Sequence, residues 1–246
     1  MIELKNLQKS FKKQQVLNGV DLHIQTGETM VILGASGGGK SVILKHCIGL
    51  LQPDGGSVSV DGIEISNSKY IDTQNIHQRM GMLFQGAALF DSMTVGDNIS
   101  FPVRERDPSL SESALEDLVT ENLKLVNLSP DFRTKMPNEL SGGMKKRLGL
   151  ARAIALKPEI ILYDEPTTGL DPITADVIND LILAMQEKLQ VTSVVVTHDM
   201  ASAFKVGNRL SMLQDGKIVF TGTPDEIRNT DNEYVRSFIG DGSKGA

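Results

Sequence analysis

Three features of this 246-residue chain predict an α/β fold built on a largely parallel sheet with helices on both faces. Short, continuously apolar runs at Thr29–Leu33, Ile160–Tyr163 and Ser193–Val196 lack polar alternation, which is how strands buried on both faces read. The first of them runs into a glycine-rich loop, Gly34-Ala35-Ser36-Gly37-Gly38-Gly39-Lys40-Ser41, and the loop into a helical stretch, Val42–Leu50. Residues 86–156 are helix-rich and poor in strands, so the sequence predicts one domain in which a helical subdomain (86–156) is inserted into an α/β core (1–85 and 157–240), with 241–246 a disordered tail.

Composition narrows the function classes. Hydrophobic residues make up 40% and charged residues 23%, the balance of a chain that buries a globular core. A net charge of −6 and a pI near 5.3 leave no diffuse basic field, so a nucleic-acid partner is not expected. The single cysteine, Cys47, lies inside the helical stretch after the loop and reads as a packed thiol in a reducing compartment. No apolar run approaches the roughly 18 residues of a membrane span, and the N-terminus has no cationic and apolar leader, so in a membrane process another chain would have to cross the bilayer.

In chain order, Ile2–Leu7 and Gly19–Ile24 alternate apolar and polar residues and read as half-exposed antiparallel strands around a polar turn, Lys12-Lys13-Gln14-Gln15. Phe11 precedes that turn, where its ring is placed either to stack on a ligand or to fill a core. Ser57–Val60, between two glycine turns, returns as a further hairpin strand, and Gly81–Phe84 is a short apolar strand ending at Gln85. Helices are predicted from Thr94 and over Ser111–Val126, the latter by Leu115, Leu118, Val119, Leu123 and Val126 on one face. Lys145–Leu156 and Ile173–Leu189 are helices as well, Arg209–Leu213 and Lys217–Phe220 form a hairpin around Asp215-Gly216, and Thr223 caps a last helix.

The chemistry gathers at strand ends. Glycines let the backbone amides of Gly34–Ser41 approach phosphate oxygens, and the helix opening at Lys40 adds unpaired N–H groups and a positive dipole end. Lys40 then suits the β and γ phosphates, and the Ser41 hydroxyl suits Mg²⁺. Asp164 and Glu165, adjacent acids at the end of a buried strand, are costly unless a cation meets them. Asp164 fits a hold on Mg²⁺, and Glu165 fits a base that polarises water. His198 closes the next apolar strand, so Gly34, Gln85, Asp164 and His198 converge on the carboxyl edge of one parallel sheet. Leu140-Ser141-Gly142-Gly143-Met144 is a second glycine-rich helix start, with Ser141 as N-cap; a simple cap explains it, and so does a site shared between two copies.

Gly34–Ser41, Gln85, Leu140–Met144, Asp164-Glu165, Gly169-Leu170-Asp171 and His198, in this order and spacing, resemble the Walker A, Q-loop, signature, Walker B, D-loop and H-loop motifs of ABC transporter ATPase subunits over essentially the whole chain. The resemblance implies a P-loop NTPase of ABC type, with a RecA-like core, an antiparallel β-subdomain and the inserted helical subdomain. It implies ATP and Mg²⁺, with Ser41, Gln85 and Asp164 near the metal, Glu165 as catalytic base, and Gln85 and His198 beside it. It implies adenine stacked on Phe11, Val16 and Val42 beside the nucleotide, and a homodimer in which Ser141, Gly142 and Gly143 of one subunit meet the γ phosphate held by Gly39, Lys40 and Ser41 of the other. Met144 departs from the usual Gln and Phe11 from the common Tyr; neither change removes a phosphate contact or the base.

Gly86–Ile99, Leu-Ser-Gly-Gly-Met at the signature and Ser41–His46 after the loop further resemble the Mla-type, or Mce-associated, ATPases of bacterial phospholipid transport. That likeness implies a permease of the MlaE type, a lipid-binding Mce-domain protein in the same complex, and a place on the cytoplasmic face of the bacterial inner membrane. A small-solute transporter subunit and a soluble ABC ATPase without a transport role stand as the alternatives.

Overall fold

The computed structural model describes residues 2–66 and 70–242. The chain opens with two long strands, β1 (Ile2–Phe11) and β2 (Gln14–Ile24), then β3 (Thr29–Leu33), α1 (Lys40–Cys47), β4 (Gly55–Val60), β5 (Ile63–Glu64), α2 (Tyr70–His77) and β6 (Met80–Leu83). A helical block follows: α3 (Val95–Arg106), α4 (Glu112–Leu125), two 3₁₀ turns at Pro130–Thr134 and Pro137–Glu139, and α5 (Gly142–Ile154). Alternation then resumes with β7 (Ile160–Asp164), α6 (Pro172–Leu189), β8 (Thr192–Thr197), α7 (Met200–Val206), β9 (Arg209–Gln214), β10 (Lys217–Gly222), α8 (Pro224–Arg228) and α9 (Glu233–Gly242).

Two sheets result. An antiparallel sheet runs β2-β1-β4-β5, and a six-stranded sheet runs β10-β9-β3-β8-β7-β6. In the larger sheet β9, β3, β8, β7 and β6 are mutually parallel and β10 alone turns back antiparallel on β9. The apolar strands serve two cores. Met30 and Ile32 of β3 join Ile43 and Leu44 of α1 and Leu4, Leu22 and Val58 of the antiparallel sheet, while Val31 and Leu33 join α5 and α6 on the opposite face. β7 divides the same way, Ile160 and Leu162 against Ile161 and Tyr163. Each fully buried side chain of this kind stabilises the fold by about 1.5–3 kcal/mol, which explains why the sheet centre tolerates no polar alternation.

Several boundaries differ from the sequence reading. Gln14 and Gln15 are paired strand residues, opposite Phe11 and Ser10, so the first turn is only Lys12-Lys13. Helix α1 ends at Cys47 rather than Leu50, because the Leu50 amide turns back to the Lys45 carbonyl at 2.8 Å. The helix capped by Thr223 is not the last, since α9 follows it. Helices α2 and α7 were not anticipated; the latter has seven residues capped by Asp199, too few for a periodic pattern. Of the expected tail, Asp241 and Gly242 fall in α9 and 243–246 lies outside the described residues.

Candidate functional site

The carboxyl ends of β3, β6, β7 and β8 bring their trailing segments to one edge of the larger sheet. There a cavity of about 350 Å³ is lined by Ser36, Gly37, Gly39, Lys40, Ser41 and Val42 from the loop and first turn of α1. Gln85, Glu165 and His198 close it from the neighbouring strand ends, and Phe11, Gln14 and Val16 from the antiparallel sheet. Phe11 belongs to neither core. It is 44% exposed at the cavity rim, which removes the core-filling alternative for its ring. Ala35 and Gly38 line an adjoining cavity with Asp215 and Tyr234, on the other side of the loop.

Gly39 caps α1 in the left-handed region at φ 103°, and a Cβ there would sit 3.0–3.2 Å from Leu17 and Val16. Only glycine meets both demands, which is why the loop can pack this closely against Val16 and Leu17 of β2. Lys40 is 4% exposed, and its Nζ donates to the Gly34 and Ala35 carbonyls at 2.8 and 3.0 Å while standing 3.2 Å from Glu165 Oε1. A buried ammonium in reach of one carboxylate and two exchangeable carbonyls is a cation ready for an anionic ligand.

Glu165 is the hub. Its backbone adopts φ 47°, a left-handed conformation costing a non-glycine residue about 1–3 kcal/mol and concentrated at functional sites. Besides Lys40, its carboxylate accepts from Thr168 Oγ1 at 2.9 Å and lies 2.9 Å from His198 Nδ1. A carboxylate only accepts, so that contact places the imidazole proton on Nδ1. One residue earlier, Asp164 Oδ1 accepts from Ser41 Oγ at 2.6 Å. Hydroxyl and carboxylate side by side are ligands for a hard cation. Among the described residues no cluster of three or more His, Cys, Asp or Glu side chains could hold a metal ion.

Ser141, Gly142 and Gly143 do not join this cavity within one chain. Ser141 caps α5, its Oγ accepting the Met144 N–H at 3.4 Å, and both Ser141 and Gly142 are exposed. Met144, partly buried, packs against the larger core. Asp171 caps α6 by accepting from the Thr174 N–H at 3.0 Å. Cys47 is buried, and burial pushes its thiol up to about 12, as fits a packed rather than a reactive residue.

Sequence reasoning missed Thr168, Asn98, Arg152 and Lys146. Asn98, fully buried, accepts from the Phe90 N–H at 2.9 Å and donates to the carbonyls of Phe90, Met93 and Thr94 at 3.0–3.2 Å, latching the segment after Gln85. Arg152 of α5 donates to the Ala87 and Ala88 carbonyls at 2.9 and 2.8 Å. Such side-chain to backbone bonds leave no mark in hydrophobic periodicity; only the spacing of Thr168 three residues beyond Glu165 offered a signal. Among the described residues no helix is long and apolar enough to cross a membrane.

Comparisons with known proteins show which family the chain resembles. The ABC transporter family model matches residues 17–168. A probable ribonucleotide transport ATP-binding protein mkl of Mycobacterium leprae is 42% identical over 238 residues, covering 97% of this chain and 68% of that protein. The chain spans about two thirds, 66–68%, of the length of the mycobacterial relatives it matches. The intermembrane phospholipid transport system ATP-binding protein MlaF of Haemophilus influenzae is 37% identical over 239 residues, covering 97% of this chain and 90% of that one. A dimeric ATP-binding cassette solved in a post-hydrolysis state with ADP and Pi superposes with a TM-score of 0.84 at 33% identity, over 91% of this chain and 99% of the other.

Proposed function

The chain belongs to the ABC transporter family, and from that premise we propose that it is the ATP-hydrolysing, energy-coupling subunit of a bacterial transporter that moves phospholipid across the cell envelope. The observation that carries the ATPase reading is the meeting of Lys40, Ser41–Asp164 and Glu165–His198 around one cavity at the carboxyl edge of the sheet. Each group has a separate task. Lys40, released from the loop carbonyls, neutralises phosphate charge, and the amides of the loop and of the α1 N-terminus add fixed dipoles. Glu165 accepts a proton from the attacking water, with His198 and Thr168 fixing its carboxylate. Phe11 offers its exposed ring to the adenine, with Val16 and Val42 beside it.

Ser41 and Asp164, with the Gln85 side chain from across the cavity, would hold Mg²⁺, and the fit rests on their adjoining hydroxyl and carboxylate oxygens. Bound there, the ion would draw charge from the β and γ phosphates. Because Ser141, Gly142 and Gly143 stand apart from this cavity, we assign them to the nucleotide of a second copy in a head-to-tail dimer, which the dimeric cassette structure supports. In-line attack of water then proceeds by positioning and charge neutralisation.

For the cargo, the phospholipid name of the Haemophilus relative supports a lipid, while the mycobacterial relative is named for ribonucleotides. The partners on this reading are an MlaE-like permease and an Mce-domain lipid-binding protein, with the chain on the cytoplasmic face of the inner membrane. Residues 86–99, latched by Asn98 and Arg152, would pass the ATP cycle to the permease. Two measurements test the proposal. Glu165→Gln should keep ATP affinity, lose turnover and accumulate an ATP-bound dimer; sustained hydrolysis overturns the base assignment. Membrane co-purification with lipid analysis should recover phospholipid with an integral membrane subunit; a small solute or a wholly soluble assembly overturns the lipid reading.

A further inference from the structure

We propose that Lys146 is a positioning residue that sets the backbone of Glu165 and of Gln85 together and ties both to the tip of α5; the inference rests on Glu165 being the base. Lysine is almost never buried without a purpose, yet Lys146 is 6% exposed. Its Nζ donates to the Glu165 carbonyl at 3.1 Å and to the Gln85 carbonyl. Burial pushes the ammonium below its usual pKa, and the nearby charges of Asp164 and Glu165 act against that shift.

The two acceptors belong to segments leaving neighbouring strands, β6 and β7, whose ends pair at Leu83 and Tyr163. Glu165 is therefore pinned through both halves of its backbone: its N–H donates to the Val196 carbonyl at 3.0 Å, and its carbonyl accepts from Lys146. Those two bonds, with the Thr168 N–H donating to the same carbonyl at 3.3 Å, hold the left-handed turn that directs its carboxylate to Lys40, Thr168 and His198. An ammonium carries three donors, so a single Lys146 can serve both carbonyls, which a neutral apolar side chain of the same length cannot. Lys146 lies five residues beyond Ser141 on α5. Movement of that exposed helix tip is thereby transmitted to the base and to Gln85, so engagement of the tip and alignment of the base are one event.

The test uses the full chain with MgATP. Lys146→Met should lower kcat by about tenfold to a hundredfold, the scale of a small misplacement of a catalytic group, with KM changed by no more than about twofold. Lys146→Arg, which keeps the donors, should recover most of the loss. In a Glu165→Gln background, where turnover is already lost, the Lys146→Met change should leave ATP affinity unchanged, because the residue acts on the base rather than on nucleotide binding. Should Lys146→Met not fold, Lys146→Leu, which likewise carries no donor, is read in the same way. An unchanged kcat in the variants without a donor, or an ATP affinity lowered by Lys146→Met in the Glu165→Gln background, overturns the inference while the base assignment stands. A Glu165→Gln chain that still turns over removes the base assignment itself.

Discussion

Two helices of this protein begin in glycine-rich sequence, and they differ in what surrounds them. The tip of α1 is enclosed: Lys40 is folded into it, Asp164 and Glu165 face it, and Phe11 stands at its rim. The tip of α5 has the same amides and dipole but open surroundings, with Ser141 and Gly142 exposed and Leu170 and Thr174 as the neighbours of its glycines. A helix N-terminus is an anion site only in potential. What converts one tip into a site within a single chain is convergence of charged side chains from other strands, and α5 lacks that convergence within one chain; on the proposed function a second copy would supply it.

The sharpest way to break this contrast is Lys40→Met. Loss of the buried ammonium removes a charge-assisted bond worth about 1.5–3 kcal/mol, so single-chain ATP affinity should drop by roughly tenfold to a hundredfold in equilibrium titration. Gly142→Asp should do the opposite. A side chain fits there, with Leu170 Cδ2 at 3.8 Å its nearest contact, so folding survives. Its charge at the tip should leave ATP binding to one chain intact and reduce dimer-dependent turnover by about tenfold or more, measured as specific activity against protein concentration. If Gly142→Asp weakens single-chain binding as much as Lys40→Met, the two tips are not distinct.

Smaller effects sharpen the boundary of the enclosed site. Phe11→Ala should weaken ATP binding by up to about tenfold through lost stacking, whereas Phe11→Tyr, which keeps the ring face, should leave it unchanged. Smallest of all is the response of Cys47 to alkylation. With its thiol buried and pushed well above the ordinary value, iodoacetamide should label the folded chain negligibly and the denatured chain readily. Rapid labelling of the folded chain would mean that α1 opens away from the sheet.

The enclosed site was far more legible in the sequence than the elements that support it. Gly34–Ser41, Asp164-Glu165 and His198 announce themselves because glycine, strand-end acids and a strand-end histidine each follow an apolar run. Asn98, Arg152 and Lys146 do not. They act on backbone carbonyls, which every residue possesses, and a lysine within a helical stretch is read as a solvated face. Helix α7 was equally silent, since its seven residues, just under two turns, show no period.

By itself the sequence singled out the candidate residues of the chemistry and their order, because phosphate and cation binding restrict residue type so strongly that composition and spacing expose candidates. It also determined that the sheet would be covered twice, from unbroken apolar strands. Only the tertiary structure decided that Phe11 stays out of both cores, that Glu165 holds a left-handed turn between Val196 and Lys146, and that the α5 tip stands away from the cavity. Those are distances between segments far apart in the chain, fixed by how strands pair and helices pack, and no local pattern encodes them.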